Sequence, residues 1–157
     1  MSNIKFSQLP LATTINSGAT LSLGDGTTAG TLNAASAITD NGTLTFNAPT
    51  DVTYAGVLSG TGSVTKLGSN ILTLGNSSSN STYSGGTTVN AGTLQAGSSH
   101  APFGSGAVTE NSSGGVVIDL NGQTISNALT LYSASSPSVY ALTDSVGGGT
   151  QQTGAVN

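Results

Sequence analysis

The sequence predicts an all-β chain wound as a parallel β-helix, a β-solenoid with an extended N-terminal arm. Three observations carry that expectation. Apolar and polar residues alternate in pieces of about three to five residues, the period of a pleated strand and not of a helix. Turn-forming residues separate the pieces at short intervals. Gly-Thr-Leu then recurs at Gly30 to Leu32, Gly42 to Leu44 and Gly92 to Leu94, with Gly18-Ala19-Thr20-Leu21 as a variant. Leu21, Leu32 and Leu44 stand eleven and twelve residues apart, so two such intervals make one coil in a class whose repeats run to about 20 to 45 residues.

In order along the chain, "ATLSLG" sets Leu21 and Leu23 on one face, "GTLTF" does so with Leu44 and Phe46, and "DVTYAG" with Val52 and Tyr54. "NILTLG" follows with Leu72 and Leu74, "TTVN" with Val89, "GTLQAG" with Leu94, then "GVVIDLNG", and "NALTLYS" with Leu129 and Leu131. Threonine suits the intervening positions because its branched Cβ fits the pleat while its hydroxyl faces water. Corners are marked by "GDG" at Gly24 to Gly26, "DNG" at Asp40 to Gly42, "SGTG" at Ser59 to Gly62, "SGG" at Ser84 to Gly86 and "LNG" at Leu120 to Gly122. Glycine, asparagine and aspartate all tolerate the backbone that a corner needs.

An antiparallel sandwich also uses short strands at this spacing. Its core calls for wider filling than this chain offers, since aromatic residues make up only 4%. Stacked coils need one or two inward aliphatics per strand.

Three regions follow. Residues 1 to 16 form an attachment or capping arm, residues 17 to 136 the β-helix, and residues 137 to 157 a polar tail. The arm carries Ile4, Phe6, Leu9, Pro10 and Leu11, apolar side chains on a chain that proline keeps extended. Such a segment adds to the sheet edge of a partner or lies in its groove, or folds back to cap the first coil. These five residues are the candidate partner-binding set.

Composition narrows the function classes. Two lysines, Lys5 and Lys66, face six acids, there is no arginine, and the formal charge is -4. A nucleic-acid backbone demands clustered cations, so nucleic acid is not an expected partner. No stretch reaches membrane-spanning length, and "MSNIKFSQLPLATTIN" lacks the uninterrupted apolar run of a secretion signal. No membrane partner is expected. With no cysteine, disulfides and thiolate chemistry are excluded. The apolar fraction of 35% and the low charge also set the chain apart from disordered polymers.

"VTKLGSNILTLGNSSSNSTYSGGTTVNAGTLQAG", Val64 to Gly97, resembles the autotransporter-associated β-strand repeat of bacterial passenger domains. The resemblance lies in Thr65-Lys66 before Gly68, in Leu72 and Leu74, in Tyr83-Ser84-Gly85-Gly86-Thr87-Thr88-Val89 and in Gly92-Thr93-Leu94. It implies a right-handed parallel β-helix displayed outside the cell, and it says little about activity. Taken from Met1, the sequence is expected to depart from that family in having neither a signal peptide nor room for an export barrel. The opening "IKFSQLPLATT" is similar to a short N-terminal signature of tailed-phage virion proteins, through Phe6, Ser7, Leu9, Pro10, Ala12 and Thr13.

Enzyme chemistry has few carriers. Glycoside hydrolysis needs two carboxylates flanking one cleft. Asp40 and Asp51 are eleven residues apart, Asp40 sits in a turn signal, and the two read as solvated corner acids. Asp119 lies among apolar neighbours but alternation turns it outward, as a satisfied or solvated carboxylate. His100 is the only histidine and stands in a loop without a second ligand, which suits neither metal nor catalysis. "GDGTTAG" lacks the glycine spacing of a dinucleotide site. No cofactor is expected.

The expectation from sequence is therefore a non-enzymatic structural protein of a virion surface, a decoration or cement protein or short fibre. Its partners would be capsid or tail proteins, met through the arm, and its state a homotrimer. The competing expectation is a bacterial surface adhesin or passenger fragment that binds glycans or host proteins.

Overall fold

The computed structural model describes residues 12–30, 33, 36–75, 78–111, 115–131 and 142–147. Among them are fourteen short strands and no helix. The strands are β1 (Ala12–Ile15), β2 (Thr20–Leu23), β3 (Ala37–Asp40), β4 (Thr43–Phe46), β5 (Val52–Tyr54), β6 (Leu58–Ser59) and β7 (Ser63–Lys66). They continue as β8 (Ile71–Leu74), β9 (Thr87–Val89), β10 (Thr93–Ala96), β11 (Val108–Glu110), β12 (Val117–Asp119), β13 (Leu129–Thr130) and β14 (Leu142–Thr143).

Every pairing joins a strand to its counterpart one coil away, and all are parallel. One sheet runs β1-β3-β6, the next β2-β4-β7-β9-β11-β13, and the third β5-β8-β10-β12-β14. In the second sheet Leu21, Leu44, Val64, Thr87, Val108 and Leu129 stand in register, 20 to 23 residues apart. In the third, Val52, Leu72, Leu94, Ile118 and Leu142 do the same at intervals of 20 to 24. This is the stacked β-solenoid that the alternation and the repeat predict. The summed interval from Leu21 to Leu44 is indeed one coil, and those two residues pair directly.

The core is a narrow column. Ile38, Leu44, Leu58, Val64, Leu72, Val89, Leu94, Val108, Ile118 and Leu129 are fully buried, one from each of ten strands. Period-2 alternation makes this possible, because every second residue enters the interior and the rest face outward. Tyr54, at the end of β5, and Tyr83 and Phe103, between strands, add the large buried rings. The Tyr54 hydroxyl donates to Ser36 O, and the Tyr83 and Thr87 hydroxyls share a hydrogen bond of 2.6 Å. Both phenols are thereby satisfied without water.

At some corners the coils stack too closely for a side chain. Gly92, at φ +70°, lies where a Cβ would stand 2.5 Å from Asn70 O and 2.6 Å from Gly68 O. Only glycine gives both the positive φ and the clearance.

Several elements lie outside the sequence expectation. Ala12–Ile15, within the segment assigned to the arm, forms β1 and pairs with β3. Leu142–Thr143, within the segment assigned to the tail, forms β14 on β12. Asp40, expected as a solvated corner acid, is fully buried. It ends β3 two residues after Ile38, so strand alternation carries it inward in register with Ile15.

Candidate functional surface

The solenoid builds its surface from outward strand positions and corners. On the second sheet Ser22, Thr45, Thr65, Thr88, Thr109 and Thr130 stand in one register. They form an uncharged row of hydroxyl-bearing side chains, buried at Thr45, half-buried at Ser22, Thr65, Thr88 and Thr109 and exposed at Thr130, with neighbours about 4.8 Å apart. On the third sheet the matching row is Thr53, Thr73, Gln95, Asp119 and Thr143. Its members bond to one another, Thr73 Oγ1 donating to Gln95 Oε1 at 2.9 Å and Gln95 Nε2 to Asp119 Oδ2 at 2.8 Å.

Asp119 is the hub of the last described coils. Its Oδ2 also accepts Ser145 Oγ at 2.7 Å, and its Oδ1 accepts the N–H groups of Asn121 at 2.9 Å and Ser145 at 3.0 Å. Burial by itself would push this carboxyl up, but the hydrogen bonds from Gln95, Ser145 and Asn121 outweigh it and hold the group below the usual aspartate range. The sequence reading of a satisfied carboxylate is correct. Its lone pairs are committed to tying Ser145, just after β14, to the corner after β12.

Asp40 has the opposite environment. Its Oδ1 accepts Gly42 N–H at 2.9 Å, while Oδ2 has no partner. Burial raises its pKa, and backbone N–H groups of Gly42 and Leu44 only partly offset that. Asp51 is exposed, at the entry to β5, and accepts the Ile71 N–H at 2.8 Å. Because Asp40 is enclosed within the core, these two acids do not line one cleft.

Lys66 is the less expected buried group. It follows Leu23 and Phe46 in one inward register and precedes Val89 and Glu110. It is 0% exposed. Its ammonium reaches the corner and donates to Gly68 O at 2.7 Å and Asn70 Oδ1 at 3.0 Å. Asn70 in turn donates to Thr50 O, one coil back, at 2.7 Å. Burial lowers the Lys66 pKa to about 8, against the opposing pull of Asp51. The sequence signal for this tie was Thr65-Lys66 before Gly68; its burial was not legible, since a lysine at a strand end reads as exposed.

His100 is exposed, and its backbone N–H donates to Ser98 Oγ at 3.3 Å. No group of three metal-ligating side chains occurs among the described residues. Within them no helix is long and apolar enough to cross a membrane. A cavity of about 170 Å³, lined by Leu23, Phe46, Val52 and Tyr54 with Asp51 at its side, is below the roughly 300 Å³ at which small-molecule pockets begin. The partner-binding candidates Ile4, Phe6, Leu9, Pro10 and Leu11 lie outside the described residues.

The segment that resembles a passenger repeat can now be placed. It spans β7 to β10, two strands each of the second and third sheets. Residues 64–96 match the family model of the passenger-associated-transport-repeat. Several residues within the matched segment have a structural task here. Lys66 ties the corner, Leu72, Leu74, Val89 and Leu94 fill the column, Tyr83 adds a large buried ring, and Gly92 admits the backbone of the coil beside it. Comparisons with curated proteins and with solved structures return no match.

Proposed function

We propose that the chain is a non-enzymatic, passenger-like β-helix displayed on a bacterial cell surface, where its outward rows bind glycans or host proteins. The passenger-associated-transport-repeat match over residues 64–96, seated on two complete strand pairs of a parallel solenoid, carries this reading. It favours the cell surface over a virion surface, an expectation drawn from the opening residues taken together with a repeat-built coil. The surface chemistry is compatible with such partners. The row from Ser22 to Thr130 offers hydroxyls and methyls without charge, which suits neutral polar ligands and protein faces better than nucleic acid or anionic lipid.

Localisation in the native host tests the reading. Antibody against the purified chain should label intact cells, and protease added outside should remove the label without lysis. Label confined to the cytoplasm or to purified phage particles would contradict it. Binding to a glycan array or to host matrix proteins, lost when Thr65, Thr88 and Thr109 are changed together to lysine, would place the contact on the second sheet.

A further inference from the structure

Two corners of the coil carry an Asn-Gly pair, Asn41-Gly42 and Asn121-Gly122. In both, the glycine N–H donates to a carboxylate: Gly42 to Asp40 Oδ1 at 2.9 Å and Gly122 to Asp144 Oδ1 at 2.7 Å. Asparagine before glycine is a chemically labile sequence, because the unhindered glycine nitrogen can attack the side-chain amide. The two corners differ in how tightly the glycine is packed and how exposed it is.

Gly42 is wedged against the first coil. A Cβ there would stand 2.2 Å from Ala19 O and 2.6 Å from Asn16 O. Backbone hydrogen bonds flank both corners, Asn41 N–H donating to Ile15 O at 2.8 Å and Thr43 N–H to Ala19 O at 2.9 Å in the first, Asn121 N–H to Asp119 Oδ1 at 2.9 Å and Gln123 N–H to Leu120 O at 2.8 Å in the second, so the contrast lies in how the glycine is packed. Gly122 is exposed, and a Cβ there would meet only Val146, at 3.5 Å. Asn121 is in the left-handed region at φ +49°, and its Nδ2 donates to Ala96 O at 3.1 Å.

We propose that Asn121-Gly122 is a self-modification site at which Asn121 converts to aspartate or isoaspartate, while Asn41-Gly42 is protected by its packing. The proton on the Gly122 nitrogen passes to the Asp144 carboxylate, which already accepts it in a hydrogen bond. The nitrogen attacks Asn121 Cγ, and a new C–N bond closes a five-membered succinimide. The Cγ–Nδ2 bond breaks, and the departing nitrogen takes up a proton and leaves as ammonia. Solvent water then opens the ring at either carbonyl, giving aspartate or the isomer whose backbone runs through the side chain. No group is oxidised or reduced.

The product changes the corner electrostatically. The hydrogen bond to Ala96 O is lost, and a carboxylate takes its place against that carbonyl oxygen. The titratable groups on hand at this corner are acidic: Asp119, whose Oδ1 accepts the Asn121 N–H, and Asp144. Like charge so close opposes the ties that Asp119 makes to Ser145. The isoaspartyl form also adds a backbone atom to the corner that follows β12. The modification therefore loosens the coil that contains β14, at a rate fixed by the corner itself.

The test is incubation of the purified full-length chain in mildly alkaline buffer, with peptide mass spectrometry and isoaspartyl-methyltransferase labelling over time. In the folded chain Asn121 should convert at least about tenfold faster than Asn41, a barrier difference of about 1.4 kcal/mol, and the ratio should approach one in denaturant. Equal rates in the folded chain, or faster loss at Asn41, would overturn the proposal. Asp144→Asn retains an acceptor but not a base, and should slow Asn121 several-fold without affecting Asn41; an unchanged rate would remove Asp144 from the step. Asn121→Asp should speed amide hydrogen exchange in β14, and unaltered exchange would contradict the loosening.

Discussion

Two buried charged side chains hold this solenoid together in opposite ways. Lys66, in the repeat-matching middle, takes an inward register position and reaches the corner from within. Asp119, near the far end of the described coils, takes an outward position and is buried by the partners that gather on it. The lysine surrenders its hydration for two hydrogen bonds, so burial depresses its pKa and the charged form is held at a cost. The carboxylate gathers four donors, so its charged form is favoured despite burial. The difference teaches that in a column this narrow the side of the strand decides whether a charge stabilises or strains the fold.

Removing the anion should have the larger effect. Asp119→Ala strips the acceptor from Gln95, Asn121 and Ser145, and should cost about 2–4 kcal/mol, given roughly 1.5–3 kcal/mol for hydrogen bonds to charged groups and their non-additivity. Denaturant unfolding would measure it, and hydrogen exchange should rise first in β14. A loss no greater than that of an exposed substitution such as Ser99→Ala would erase the contrast.

Asp40 sharpens the same comparison from the inside. Its pKa is raised, so whatever stability it contributes is present below the ordinary aspartate value and is lost as pH rises through the raised one. Asp40→Asn should therefore stabilise the fold at neutral pH and flatten the acid side of the stability curve. A lower melting temperature for the variant at pH 7 would show that the carboxylate has a partner that the structure does not reveal.

Lys66→Met should be close to neutral, within about 1 kcal/mol at pH 7, since replacing a buried charge by an apolar side chain offsets the donors lost to Gly68 O and Asn70 Oδ1. The pH profile is the more telling readout. Between about pH 8 and 10.5 the folded lysine has released its proton while the unfolded one still binds it, so stability rises across that window. The rise should vanish in Lys66→Met. Its persistence would place another titrating group in the core.

Smallest of all should be the acid limb owed to Asp119. Its folded pKa is lowered, so its contribution is present above the ordinary value and fades only as pH falls below that value through the folded one. Asp119→Asn should flatten that limb and leave the alkaline side unchanged.

Much of this architecture was legible because an inward aliphatic is hard to hide. Leu44 and Phe46, Leu72 and Leu74, and Leu94 could be assigned to one face from alternation alone, and each is buried. The coil length was legible from Leu21 and Leu44. The three-sheet cross-section was not, because Gly-Thr-Leu marks a corner and a strand start without marking which sheet follows. Gly42-Thr43-Leu44 enters the second sheet and Gly92-Thr93-Leu94 the third. "AITD" concealed β3, since it offers one large aliphatic and ends on an acid that also belongs to the turn signal Asp-Asn-Gly. Buried Lys66 and Asp40 were invisible for a related reason: composition rules place charges outside, and only the register shows that these two fall on inward positions.

The central claim is that successive coils stack in parallel, and distance along the stack tests it most directly. Spin labels at Ser22 paired in turn with labels at Thr88, Thr109 and Thr130 should give backbone separations of about 14, 19 and 24 Å, growing by one strand spacing per coil. Separations that fail to grow with coil number, as antiparallel hairpins folded across one another would give, would contradict it.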